Sequence, residues 1–358
     1  MEKQTVAVIF GGCSSEHEVS LQSASAVIEN MDREKFEPVL LGITKDGEWF
    51  HYYGETSKIA DGTWRNPRDC VHAFVIPDRT VQGVLEFGKN GAAVTHLDAA
   101  FPVLHGRNGE DGTVQGLLML ADIPIVGCGV LASSLCMDKD RAHKLASLAG
   151  VPVPRSFKLC KADLKAVQEY AAVLGYPLFV KPVKAGSSFG ITRVTAADEL
   201  PEAVERAFRF DDEAVMEEAI PGFEVGCAVM GSDVLTVGEV DEIELAEGFF
   251  DFKEKYNLIT SSIHVPARIP QAKADSIKRT AKVVYAALGC AGFARVDLFL
   301  TPSGEVVFNE VNTIPGFTAH SRFPGMMRAA GVELSKVVTR AIEEAIQSHE
   351  NCNRTATN

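Results

Sequence analysis

Short apolar runs and longer stretches of helical period succeed one another through the first part of the chain. TVAVIF at 5–10, EPVLLGI at 37–43, AAFPVLH at 99–105 and IPIVGC at 123–128 predict strands, while VSLQSASAVIENM at 19–31 and TVQGLLMLA at 113–121 predict helices. Strand and helix in turn mean parallel strands with crossover helices, so residues 1–137 read as an open, doubly wound α/β domain. The carboxyl ends of its strands face a ligand crevice.

From 138 to 222 the pattern makes a smaller unit: helix DKDRAHKLASLAG, helix KADLKAVQEYAAVLG, strand PLFVKPV, loop KAGSSFG, helix DELPEAVERAFRF and strand EAVMEEAI. Residues 223–348 are richer in strands, with EVGCAVMG, VLTVGEVDEIEL and SIHVPARI, then helix KADSIKRTAKVVYAALG, paired strands ARVDLFL and EVVFNEV, and two last helices. Residues 349–358 are polar and without period, a tail expected to lie outside the fold.

The last hairpin carries the clearest chemistry. ARVDLFL and EVVFNEV are joined through TPSG, a turn with proline and glycine in favourable places. An even loop pairs Leu300 with Glu305, Asp297 with Phe308 and Arg295 with Glu310, and leaves Asp297 and Glu310 diagonal neighbours at roughly 7–8 Å between backbones. Arg295, Asp297, Glu310 and Asn312 then share one sheet face. A surface salt-bridge face is one reading. The other is a cation site: two carboxylates and an amide are hard oxygen donors suited to magnesium or manganese, whose remaining positions nucleotide phosphates fill.

FVKPVKAGSSFG places Lys181 at a strand end before Gly186, Ser187, Ser188 and Gly190, small residues that let backbone amides approach an anion. Lys139, at the entrance of a helix, is a second cation. VIFGGCSSEHEVS departs from the dinucleotide spacing G-x-G-x-x-G, which argues against a dinucleotide cofactor, but it sets Glu16 at a strand's carboxyl end, where an acid meets a substrate ammonium or a helix dipole.

Composition narrows the field. The 358 residues are 46% hydrophobic and carry a formal charge of −13, which argues against general nucleic-acid binding because phosphate backbones need a clustered positive surface. Neither a signal-peptide pattern nor an apolar run of bilayer length is visible, so a cytoplasmic protein with no membrane partner is expected. Eight cysteines without a C-x-x-C pair are expected to be free thiols.

Six ordered motifs carry a resemblance: GGCSSEHEVS at 11–20, LHGRNGEDGTVQG at 104–116, MDK at 137–139, KPVKAGSSFG at 181–190, RVD at 295–297 and NEVNTIPGFTAHS at 309–321. Together they resemble the D-alanine:D-alanine ligase family, and within it the vancomycin-resistance branch that makes D-alanyl-D-serine. The resemblance implies a three-domain ATP-grasp fold, ATP as substrate, and two magnesium or manganese ions on Asp297, Glu310 and Asn312. It implies nucleotide contacts from Lys139, Lys181, Ser188, Glu217 and Glu224, and a homodimer. It gives Glu16 the ammonium of a first D-alanine with His105 near the same amino acid, Arg295 and the Gly316 amide a tetrahedral oxyanion, and Tyr256 a closing triad with Ser187 and Glu16.

FFDFKEKYNLITSS, between strand patterns and without period, reads as a lid or a plain long loop. By the resemblance, Lys255 faces the substrates, and the Lys255–Tyr256 pair argues against a D-lactate ester. Phe250, Ser321 and Arg322 line the second subsite, where Arg322 combined with that pair points to D-serine. A housekeeping D-alanine:D-alanine ligase and a nucleotide-binding protein without catalysis are the alternatives.

Overall fold

The computed structural model describes residues 2–88, 91–186, 189–245 and 261–356, arranged around three sheets. The first has seven strands. Gln4–Gly11 pairs in parallel with Phe36–Ile43 on one side and Ala99–Val103 on the other. Beyond Phe36–Ile43 the sheet continues through Trp49–Tyr52, Cys70–Val75, Gly83–Gly88 and Gly91–His96, every pair antiparallel. Parallel winding thus holds at one end only, and the added strands are a meander of consecutive neighbours. IPIVGC forms no strand: Ile125 makes an isolated bridge to Ala100, and Pro124 has no N–H for a ladder.

Val6 to Phe10 are fully buried because helices cover both faces, as a parallel strand requires. Val6, Val8 and Phe10 meet Leu21, Ala24, Val27 and Ile28 of helix His17–Glu29, spaced to form one apolar stripe. Ala7 and Ile9 meet Val114 and Leu118 of helix Thr113–Leu120 on the opposite face.

The second sheet orders Thr192–Val194, Leu178–Pro182, Ala214–Glu218 and Ser156–Leu159, antiparallel throughout. Val167, Ala171, Leu200 and Val204 from its two helices cover it. The third sheet runs Ser261–His264, Asp241–Leu245, Phe223–Met230, Phe293–Leu300 and Val306–Asn312, with Thr236–Val237 paired to Phe223–Met230. Helix Gln271–Ala287 packs on it through Ile277, Ala281, Val284 and Tyr285.

The first and third sheets share one core. Phe317 lies 5.7 Å from Phe101 of the first sheet, 5.3 Å from Phe293 of the third and 5.8 Å from Phe323. The polar tail is not outside the fold as expected: helix Leu334–Ala356 runs through it, and His349 Nε2 lies 3.1 Å from Asp122. All eight cysteines are free, with Cys136 and Cys290 in buried sulfur contact at 3.6 Å. Among the described residues no helix is long and apolar enough to cross a membrane.

Candidate active site at the junction of the sheets

The hairpin face is built as its alternation predicts, but in another register. Leu300 pairs with Val306, Asp297 with Glu310 and Arg295 with Asn312, with a shift between Asp297 and Leu298. The loop is odd, not even, and a bulge at Asn309 adds a residue, so Asp297 and Glu310 are directly opposed and not diagonal. The bulge has a cause in the packing: the Asn309 carbonyl accepts from His143 Nε2 at 2.7 Å. Arg295, Asp297, Glu310 and Asn312 share one face either way.

Asp297 is 1% exposed. Arg295 Nε and Nη2 donate to it at 2.8 and 2.7 Å, Asn312 Nδ2 at 2.9 Å, and Arg322 Nη1 stands 3.2 Å away. A carboxylate offers about four lone-pair positions and these four donors fill them, so a hard cation at Asp297 would take the place of one of them. Asn312 donates through its nitrogen, which turns its oxygen to acceptor use.

Arg322, expected beside the second subsite, stands among three carboxylates. It is buried at the start of helix Arg322–Ala329, its Nε and Nη2 donating to Asp241 at 2.7 and 2.9 Å and its Nη1 to Glu224 at 2.7 Å. Burial works against the guanidinium, and Asp241 and Asp297 outweigh it, holding the group well above its ordinary value. Asp241, fully buried and 81 residues away in sequence, gave no sign of this role in the sequence. Glu224, expected at the nucleotide, is the same guanidinium's partner.

On the nucleotide side, Lys181 and Glu217 form a buried ion pair across neighbouring strands. Lys139 opens helix Lys139–Leu148 and donates from Nζ to the Ala185 carbonyl at 2.7 Å, which ties it to the KAGSSFG loop. His143 stands one turn further on the same helix face. With Nε2 donating to Asn309, its Nδ1 is a bare acceptor, and burial lowers the ring's affinity for a proton. Among the described residues, His143 Nδ1 and Glu217 Oε2 are two of the four buried side-chain polar atoms without a partner.

On the amino-acid side, Glu16 is buried where two loops meet. A Cβ at Gly106, whose φ is +69°, would sit 2.5 Å from Glu16 Oε2, so the loop passes only without a side chain. His105 bonds protein on both sides: Nδ1 reaches the Ile314 carbonyl at 2.9 Å and Nε2 reaches Ser23 Oγ at 3.1 Å. Glu110, quoted within a motif but not singled out, is buried there and accepts from the Gly106 N–H at 2.8 Å and the Ile314 N–H at 3.2 Å. Burial, with the neighbouring Glu16 charge adding to it, pushes this carboxyl up to about 8. Gly316 follows on the same loop, with Ser321 Oγ bonded to Thr318 Oγ1 at 2.8 Å. Ser187, Ser188, Phe250, Lys255 and Tyr256 lie outside the described residues.

A mixed α/β sheet, an antiparallel sheet with a lysine at its strand end, and a hairpin that sets Asp297 and Glu310 beside Arg295 meet at this junction, which defines the ATP-grasp fold. The chain belongs to the D-ala D-ala ligase family, an ATP-utilising family of ligases, with the model of its N-terminus matching residues 5–128 and that of its C-terminus residues 145–343. The VanG D-Ala:D-Ser ligase of Enterococcus faecalis superposes at a TM-score of 0.90 with 54% identity, over 96% of this chain and 100% of that one. The vancomycin/teicoplanin A-type resistance protein VanA of Enterococcus faecium is 43% identical over 97% of this chain and 100% of its own. A D-alanine–D-alanine ligase of Caldicellulosiruptor bescii is 42% identical over 98% of this chain and 97% of its own.

Proposed function

We propose that this ligase joins D-alanine to D-serine through a D-alanyl phosphate and so supplies altered peptidoglycan precursors for vancomycin resistance. The observation that carries the chemistry is the hairpin face, where Asp297 and Glu310 stand directly opposed beside Arg295 and Asn312. The serine preference is supported by 54% identity to a D-Ala:D-Ser ligase over nearly the whole chain. The Lys255–Tyr256 pair argues against a D-lactate ester, and its combination with Arg322 is what points to serine.

A carboxylate resists an amine because attack would have to expel oxide. Transfer of the ATP γ-phosphoryl group removes that obstacle: a D-alanine carboxylate oxygen bonds to phosphorus, the bond to the β,γ-bridging oxygen breaks, and ADP leaves. Lys181 and Lys139 spread the charge of the anions brought together. Asp297, Glu310 and the Asn312 oxygen are the residues that would hold magnesium or manganese, which when bound screens phosphate charge. Glu217, with an oxygen unpartnered beside Lys181, suits the amino edge of adenine.

Glu16 holds the D-alanine ammonium. The D-serine amine then attacks the acyl carbon and gives up a proton, and the tetrahedral oxyanion forms at Arg295 and the Gly316 amide. Its collapse breaks the bond to phosphate. Water has to be kept out of this step, since the acyl phosphate hydrolyses readily.

The test is competition. With ATP and equimolar D-alanine, D-serine and D-lactate, D-alanyl-D-serine is expected as the main product by mass spectrometry. A product that is mainly D-alanyl-D-alanine would sink the serine assignment and favour the housekeeping reading, to which the 42% identity with the Caldicellulosiruptor bescii ligase lends support.

A further inference from the structure

The loop bearing Gly316 leaves the last hairpin, yet its polar partners come from the first domain. The Phe317 N–H donates to Ser23 Oγ at 3.3 Å, and Ser23 lies in helix His17–Glu29. The Ser23 hydroxyl, accepting there, is free to donate onward to His105 Nε2 at 3.1 Å. His105 Nδ1 then donates to the Ile314 carbonyl at 2.9 Å, the only polarity a carbonyl partner permits. The ring of bonds closes on the loop it began from. Outside the ring, Glu110 takes the Ile314 N–H and ties it to Gly106. Three backbone groups of Ile314 and Phe317 are thus fixed on either side of Gly316. Below them Phe317 is held by Phe101, Phe293 and Phe323.

We propose that Glu110, with Ser23 and His105, is a positioning residue that sets the Gly316 amide for the second step of the reaction, the attack of the amine on the acyl phosphate. The inference rests on the reading of Gly316 as an oxyanion donor. Two features speak for positioning over mere packing. Each member of the set is buried and spends its hydrogen bonds on this one loop or its neighbour Gly106. Glu110 also meets two N–H donors with two oxygens, a match that an amide cannot reproduce, because a carboxyl oxygen keeps a lone pair even when protonated and an amide nitrogen offers none. An oxyanion donor displaced by a fraction of an ångström loses much of its effect, since the site works by preorganisation.

The test compares the two halves of the reaction in the full chain and in Glu110→Gln and Ser23→Ala. Acyl phosphate formation is followed as D-alanine-dependent scrambling of ¹⁸O from the β,γ-bridge of ATP into the β-phosphate. The second half is followed as dipeptide release. In both variants the ratio of scrambling to dipeptide formation is expected to rise about tenfold or more, with the KM for each amino acid within about twofold of the parent. A ratio unchanged in both variants, whether the two rates fall together or neither falls, would overturn the proposal. Ser23→Ala keeps the test open should Glu110→Gln fail to fold. Absence of D-alanine-dependent scrambling in the parent protein would instead overturn the acyl phosphate reading, and this proposal with it.

Discussion

The two sides of the site are finished to different degrees. Around Lys139 and Lys181 the protein buries His143 Nδ1 and Glu217 Oε2 without partners, and burial of an unpaired acceptor costs about 1–3 kcal/mol. Around Gly316, Ser23, His105 and Glu110 satisfy one another and the loop. The difference separates two tasks. A side with acceptors to spare beside its lysines has its bonds completed by a ligand that brings donors; the ring around Gly316, its own bonds made, holds a backbone in place before the ligand arrives.

The hairpin lies between them and bears the largest expected effect. Glu310→Ala should lower D-alanine-dependent ADP release by about 10³-fold or more while leaving the thermal melt within a few degrees, because it removes charge stabilisation from a phosphoryl transfer and no core contact. Unchanged turnover would take the hairpin out of the chemistry.

On the nucleotide side, Glu217→Ala strands Lys181 in a buried position and should cost about 3–5 kcal/mol in urea unfolding. Saturating ATP should return part of it in the variant, since a bound anion offers the lysine another partner. A loss below about 1 kcal/mol would mean that the pair is solvated and that the two sides differ less than drawn.

The amino-acid side is sharpened by pH. The Glu110 carboxyl is held at about 8 against an ordinary 4.5, by burial and by Glu16; Arg295 opposes this more weakly, and the Cys128 thiol also feels its charge. Between those values the folded state binds a proton that the unfolded state has released, so stability is full at low pH and is lost as pH rises toward 8. His105, its ring held below the ordinary value of 6.5 by burial, acts in the opposite sense: stability falls as pH drops through 6.5. Melting temperature should decline from pH 5.5 to 8.5, and Glu110→Gln should flatten that decline. An identical slope in the variant would place the titration elsewhere.

The smallest effect belongs far from both sides. His349→Ala removes a partly exposed contact to Asp122 and should change stability by less than about 1 kcal/mol. It serves as the baseline for the other variants.

How much of this was legible in the sequence depends on the length over which a signal acts. Side-chain alternation is local, so the shared face of Arg295, Asp297, Glu310 and Asn312 could be read, and so could Lys181 at a strand end. The register could not, because the bulge at Asn309 answers to His143, which is 166 residues away. Arg322 was legible as a polar residue beside the TAHS segment but not as the partner of Asp241 and Glu224, which only the packed sheet brings to it. The meander between residues 49 and 96 escaped notice because strands such as GAAVTH are short and exposed on both faces, with little apolar period to detect. Glu110 stood inside a quoted motif, but an acid in a glycine-rich loop looks solvated until its burial is seen.

A crystal structure of the full chain with ADP and magnesium tests the central claim most directly. The account predicts the adenine amino group within hydrogen-bonding distance of Glu217 Oε2 and the diphosphate directed at the face shared by Asp297 and Glu310. A nucleotide lodged elsewhere, with no phosphate directed at those carboxylates, would contradict it.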